Sequence, residues 1–329
     1  MQRRKFIQLA AAAAAGVIAQ VRAGNAQQLA GKQIRLVVPF PAGGPTDIVA
    51  RPFAQMLGDA LKSTVLVDNR GGAGGSLGAD SVAKSAPDGQ TLLMATVGTH
   101  AINPALYRKL PYDPLRDFTP IAMVAMAPVA IVVNPAQPIG SLAELVALAR
   151  KMPGKLNYGS AGVGTPGHLT GEMFKAAAGI DIQHVPYKGS APALTDLIAG
   201  QTQIMFDPLQ SVLSNVQGGR LRAIAISSKL RSSVLPNVPT IAESGYPGFE
   251  MVAWVGAFVP AKTPPDIVTR LNEELNRILA RDDTLTYFDT IGAQVYATTP
   301  DGLRSYAAED TRRWAEIVDL AKIEKKASQ

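Results

Sequence analysis

The sequence predicts an α/β fold of about two domains, each a mainly parallel sheet flanked by helices. Two observations carry this. Short apolar runs rich in Val, Leu and Ile alternate with helical patterns along most of the chain, the pattern of strands covered on both faces. The 329 residues, 47% of them hydrophobic, also exceed what a single core usually organises. The 30 glycines and 24 prolines sit at junctions between elements and not in one block, so they read as turn formers of an ordered chain.

The elements follow in order. Gln33–Val38 reads as a buried strand, followed by a Gly/Pro turn and a helix over Thr46–Leu61. Thr64–Val67 (strand), Ser76–Ala86 (helix) and Thr91–Ala95 (strand) repeat the alternation. It resumes with Ala130–Val133 (strand), Ser141–Lys151 (helix), Leu156–Tyr158 (strand), Pro166–Ala178 (helix) and Ile182–Val185 (strand). Next come Ala191–Ala199 (helix), Gln203–Phe206 (strand), Leu209–Val216 (helix) and Ala223–Ile226 (strand). A last apolar strand near Met251–Val259 leads into long helices over Pro265–Ala280 and Asp301–Ala321. No internal repeat of solenoid period is present.

The chain opens Met1-Gln2-Arg3-Arg4-Lys5-Phe6-Ile7, continues in an alanine run over 10–15, and reaches Gly24-Asn25-Ala26. A basic start, a short apolar stretch and small residues at −3 and −1 make a cleavable export signal, with a twin-arginine-like opening. Loss of residues 1–26 removes Arg3, Arg4, Lys5 and Arg22 and no acid, taking the formal charge from +6 to +2. A near-neutral surface with 6% aromatics argues against a nucleic-acid partner. No cysteine and only three histidines (His100, His168, His184) leave little for thiol or metal chemistry. No metal or cofactor is expected.

Three loop motifs bear on chemistry. Gly74-Gly75-Ser76-Leu77-Gly78 matches GxSxG, but six residues separate it from the preceding strand, whereas a nucleophile elbow sits directly between strand and helix. Gly162-Val163-Gly164-Thr165-Pro166-Gly167 matches GxGxxG in a strand–helix context. However, Asp181 precedes the next strand instead of following it, and Pro166 removes an amide that a pyrophosphate would use. An exported dinucleotide-dependent enzyme or a serine hydrolase is therefore the runner-up. The favoured pattern is a pair: residues 39–47 and 158–165 each follow a strand and open a helix with small residues and hydroxyls. Each presents amides at a helix N-terminus, a site for an anion. Two such loops facing one cleft would clamp a small anion from both sides.

At these loops the sequence resembles the periplasmic receptors of tripartite tricarboxylate transporters, the Bug family. The matching stretches include PFPAGGPTDIVAR (39–51), NRGGAGGSLGAD (69–80), INPALYRKLPYDPLRDF (102–118), NYGSAGVGTPGHL (157–169) and VPYKGSAPALTDLIAGQ (185–201). The resemblance implies a two-lobed, Venus-flytrap receptor of the type II periplasmic-binding-protein architecture. It would be a monomer that catalyses nothing and carries a small carboxylate to membrane permease subunits or to a sensor kinase. It further implies that the carboxylate is held by backbone amides, small hydroxyls and waters more than by a dedicated arginine. The lobes are expected at residues 27–126 plus 250–329, and at 127–249.

On that footing Phe40, Ala42, Gly43, Gly44, Thr46 and Asp47 form the first wall, with the amides of 43 and 44 aimed at a carboxylate. Ser160, Gly164, Thr165 and His168 form the second. Tyr187 and Lys188 follow the next strand, Asp207 ends another, and Thr96, Gly98, Thr99 and His100 lie beyond the third strand. Asp47 is ambiguous, since a carboxylate repels a carboxylate ligand. It caps its own helix, fixes a water, or meets a hydroxyl or ammonium of the ligand.

Overall fold

The structure, a computed structural model, describes residues 29, 31–320 and 323–327; the export signal expected at residues 1–26 lies outside them. The chain forms β1 (Gln33–Val38), α1 (Pro45–Leu61), β2 (Thr64–Asn69), α2 (Ser76–Ala83), β3 (Thr91–Thr96), a π-turn at Gly98–Ile102 and α3 (Asn103–Leu106). There follow β4 (Phe118–Val133), α4 (Leu142–Lys151), β5 (Asn157–Ser160), α5 (Pro166–Ala178), β6 (Gln183–Pro186), α6 (Ser190–Ile198), β7 (Ile204–Pro208), α7 (Leu209–Gln217) and β8 (Arg222–Ile226). The last elements are β9 (Val252–Pro260), α8 (Pro265–Leu279), α9 (Asp282–Thr290), β10 (Gln294–Val295) and α10 (Pro300–Leu320).

Local chemistry places these elements where their sequences direct. Ser141 caps α4 by accepting the Glu144 amide at 3.2 Å, while the Glu144 carboxylate reaches back to accept the amide of Gly140, just before the cap. In α8, Ile267, Leu271, Leu275 and Ile278 recur at helical spacing, and all four are buried against the sheet.

The strands divide into two sheets that share β4. One has the order β2-β1-β3-β9-β4-β10, and the other β6-β5-β7-β4-β8. Within each, the βαβ units pair in parallel as expected: β1 with β2 and β3, and β5 with β6 and β7. The sheets are nonetheless mixed and not mainly parallel, because β4 runs through both and β9 through the first, each antiparallel to its neighbours.

β4 leaves β9 at Pro128, which pairs with Val252, and takes up β7 at Val129, which pairs with Pro208. A proline suits this step, because it has no amide to orphan where the partner changes. Ser227, fully buried, ties the two crossing strands together. Its hydroxyl accepts the Val129 amide at 2.8 Å and donates to the Met251 carbonyl at 2.5 Å.

Candidate ligand-binding site

A narrow cavity of about 40 Å³ lies between the two lobes over the crossing strands. Its floor is apolar: Ala125, Met126 and Ala127 of β4 and Ala253, Trp254 and Val255 of β9. Its rim is set by helix starts. The N-cap residues of four helices line it: Gly44 of α1, Thr165 of α5, Gly189 of α6 and Pro208 of α7. None of the four makes a side-chain capping bond, so the first-turn amides are left for another acceptor. Among the described residues that line the cavity there is no Lys, Arg or His. The positive ends of four helix dipoles thus supply the field that a cationic side chain would otherwise give.

Of the sequence-predicted residues, Phe40, Gly44, Thr46, Thr96, Thr165 and Asp207 line this cavity. Ala42, Tyr187 and Lys188 line a wider outer vestibule, which shares Phe40, Pro41, Ala161 and Gly189 with the cavity. Lys188 is exposed there, and the Tyr187 hydroxyl donates to Asp196 at 2.7 Å.

The remaining residues stand behind the walls. The Gly43 amide does not face the cavity, because it donates to Asp47 Oδ2 at 2.9 Å. Asp47 is buried, accepts Arg51 Nε at 2.8 Å and Asn69 Nδ2 at 2.9 Å, and these three donors hold its carboxyl below the usual range against the opposing effect of burial. Since Asn69 also donates to the Phe40 carbonyl, Asp47 organises the first wall from behind.

His100 packs between Phe118 and Phe258 with ring centroids 4.9 and 4.5 Å away, and burial lowers its pKa to about 3. Thr99 is fully buried beside it, its hydroxyl on Thr96 and His100. Gly164 packs against Asn103 of the other lobe, and a Cβ on Gly98 would meet the Gly164 carbonyl at 3.2 Å. Gly98 and Gly164 meet across the two halves, Thr99 and His100 pack within the first, and none of the four lines the cavity.

Ser160 and His168 belong to an internal histidine cluster. Ser160 Oγ lies 2.7 Å from His184 Nε2, and the rings of His168 and His184 are 4.3 Å apart. Ser160 is fully buried, and burial lowers His184 to about 3 and His168 to about 4, so the pair has neither the access nor the basicity of a nucleophile and its base. Ser76 is 1% exposed and takes a 3.3 Å bond from Asn103. The glycines beside it instead bed Phe40 and Pro41: a Cβ at Gly75 would meet the Phe40 ring at 3.1 Å, and one at Gly71 would meet Pro41 at 2.8 Å. Asp181 bonds to Gln183 at the start of β6, the opposite strand end from the loop at 161–165. The GxGxxG and GxSxG matches are turn chemistry.

Several cavity residues escaped sequence reasoning. The floor residues Met126 and Trp254 carry no mark that separates them from core. Ser190 was within reach, as a hydroxyl opening a helix after Gly189. It is 2% exposed, and its Oγ makes no hydrogen bond of good geometry.

The chain matches the tripartite tricarboxylate transporter family receptor over residues 49–323. It is 38% identical over 307 residues to the protein BugT of Bordetella pertussis, covering 93% of each chain. Its fold is similar to that of R. palustris Rpa4515 with adipate, at 37% identity and a TM-score of 0.87, over 91% of this chain and 99% of that one. The periplasmic binding protein BugD gives 35% identity and a TM-score of 0.86 over 91% and 99%. With a two-lobed α/β fold, an interlobe cavity and a family match spanning most of its length, the chain belongs to the tripartite tricarboxylate transporter receptor family.

Proposed function

We propose that the protein is an exported solute receptor that captures a small carboxylate in the interlobe cavity and presents it to permease subunits of a tripartite tricarboxylate transporter. The observation that carries this is the convergence of four uncapped helix starts on one cavity with no cationic side chain. Such a site holds a carboxylate through amides and hydroxyls in a water-poor setting, where each bond to a charged acceptor is strong. The adipate held by a relative of the same fold supports this choice of ligand.

Residues 27–126 with 250–329 form one lobe in this reading, and 127–249 the other. Ser227 and the strand crossings at 128–129 serve as the hinge, and ligand favours closure because both rims contact it only when closed. The protein acts by binding and not by catalysis, as a monomer of the periplasm. Among the described residues no helix is long and apolar enough to cross a membrane. Calorimetric titration with mono-, di- and tricarboxylates tests the reading. A carboxylate should bind with 1:1 stoichiometry, raise the melting temperature and shrink the radius of gyration. If no carboxylate binds, or if generic ester substrates are turned over, the reading fails.

A further inference from the structure

Asp207, at the end of β7, is the only acid lining the cavity among the described residues. It is 1% exposed, and Ser211 Oγ donates to its Oδ2. No cation faces it. The groups that bear on its charge are two hydroxyls, Ser211 of α7 and Ser190 of α6. Ala130 of β4 lies opposite in the sheet. The nearest acid of the α1 rim, Asp47, is already neutralised by Arg51. His168 and His184 interact with each other and with Glu172 and lysines. Desolvation alone drives Asp207 up to about 7, and both hydroxyls oppose the rise.

A carboxylate seated on the helix starts at 165, 189 and 208 shares this small space with Asp207. Two carboxylates this close, with no cationic side chain between them, repel, and a proton shared between them removes that repulsion. We propose that Asp207 binds the ligand as a neutral carboxylic acid, donating its proton in a hydrogen bond to a ligand oxygen, so that capture from alkaline solution, where the free site is ionised, takes up one proton per anion. Asp207 is thereby a ligand-binding residue that admits anions and works against an ammonium group at that end of the cavity. The inference rests on the carboxylate reading above and goes beyond it in assigning the protonation state of the site.

The coupling has a definite sign. Binding favours protonated Asp207, so affinity is highest below about pH 7 and falls as pH rises, by about tenfold per pH unit where one proton is coupled. Were Asp207 to bind ionised to a ligand donor, acid would weaken binding instead.

Adipate is the first probe. If it leaves the melting temperature unchanged, the member of the succinate-to-suberate series that raises it most takes its place. Titration of wild type near pH 8 in phosphate and in Tris, whose ionisation heats differ, should report uptake of close to one proton per ligand. Asp207→Asn mimics the neutral acid in shape and donor. It should bind the same probe within a few fold of the wild-type pH 6 affinity, with the pH dependence and proton uptake abolished. Ser211→Ala removes a donor that favours the ionised form, so the midpoint of the pH profile should move up. Titration of the buried histidines would not respond to that change. It also serves as the test if Asp207→Asn does not fold. Carboxylate binding that is flat from pH 6 to 8.5, or abolished in a folded Asp207→Asn, overturns the proton-coupled site alone. Absence of binding by every carboxylate overturns the receptor reading and this inference with it.

Discussion

Pro41 of the first lobe lies against Gly189 of the second, so near that a Cβ added to Gly189 would stand 3.2 Å from Pro41 Cγ. The contact joins the first clamp loop to the start of α6, and both residues line the cavity. In the proposed closure it belongs to the surfaces that ligand would draw together.

Gly189→Ala should act as a wedge. The backbone there has φ +108, which an L side chain adopts only with strain of about 1–3 kcal/mol, and the added methyl presses on Pro41. Carboxylate affinity should drop at least tenfold, and small-angle scattering at saturation should show a larger radius of gyration than wild type. Gly179→Ala is the control, since it also has positive φ but nothing within 4 Å of its Cβ. It should cost stability and leave binding intact. Equal binding losses in both variants would assign the effect to strain and not to the interlobe contact.

Asp47→Ala removes the acceptor of three donors at once: the Gly43 amide, Arg51 and Asn69. A charged hydrogen bond is worth ~1.5–3 kcal/mol, so unfolding in urea should show a loss of about that size or more. Affinity should fall as well, because Asn69 also holds the Phe40 carbonyl and the wall loses its brace. Asp47→Asn keeps the shape and part of the hydrogen bonding and should retain more of both. Unchanged stability in Asp47→Ala would remove the residue from this framework.

Acid should destabilise the fold before its surface carboxylates titrate. His100, His168 and His184 are held by burial at about 3, 4 and 3 against an unfolded value near 6.5. Between those values the unfolded chain binds protons that the native chain refuses. Stability therefore falls as pH drops below 6.5, by up to about 1.4 kcal/mol per histidine per pH unit. Asp207 works the other way: its raised pKa means that the native state holds a proton the unfolded chain has released between about pH 4 and 7. Three groups outweigh one, so the melting temperature should decline steadily from pH 6.5 to 4.5. His100→Phe, placed among Phe118 and Phe258, should flatten that decline by about half, since three opposed by one becomes two opposed by one.

Much of this arrangement was legible in the sequence. The helix over Pro166–Ala178 ends where the pattern ends, because Pro166 suits a first helical position and Gly179 takes the left-handed C-cap at φ +59. The two clamp loops were visible for the same reason, since strand, small residues and helix start are all local signals. β4 was not. Only its last four residues were read as strand, because Pro120 and Pro128 break the apolar run in a way that usually demotes it. In the fold Pro120 stands at a register shift and Pro128 at the exchange of partners, so neither orphans a ladder bond. Depth was illegible too. Thr99, His100, Ser160 and His168 follow strands just as the lining residues do. Which face of a loop turns inward depends on Asn103, Phe118 and His184, all distant in the chain or on another element.

Ser190 and Thr165 separate binding from architecture at the same rim. Thr165 Oγ1 donates to the Gly162 carbonyl at 2.6 Å, so its hydroxyl is already occupied in shaping the α5 loop. Ser190 Oγ is buried beside the cavity and makes no hydrogen bond of good geometry, its polar neighbour being the Asp207 carboxyl, so it stays under-satisfied until an acceptor arrives. Thr165→Ala should therefore lower the melting temperature of the ligand-free protein, with a loss of about 1 kcal/mol typical of a loop hydrogen bond. Its effect on affinity should be modest. Ser190→Ala should leave the ligand-free protein as stable as wild type, or slightly more so, since it removes an under-satisfied hydroxyl. Its cost should fall on binding: one hydrogen bond to a charged ligand is worth ~1.5–3 kcal/mol, a roughly ten- to hundredfold loss in Kd. Calorimetry on the two variants, each beside its own ligand-free melt, gives both readouts. If Ser190→Ala binds carboxylate as tightly as wild type, the hydroxyl is no ligand contact, and the start of α6 holds the anion through its amides alone.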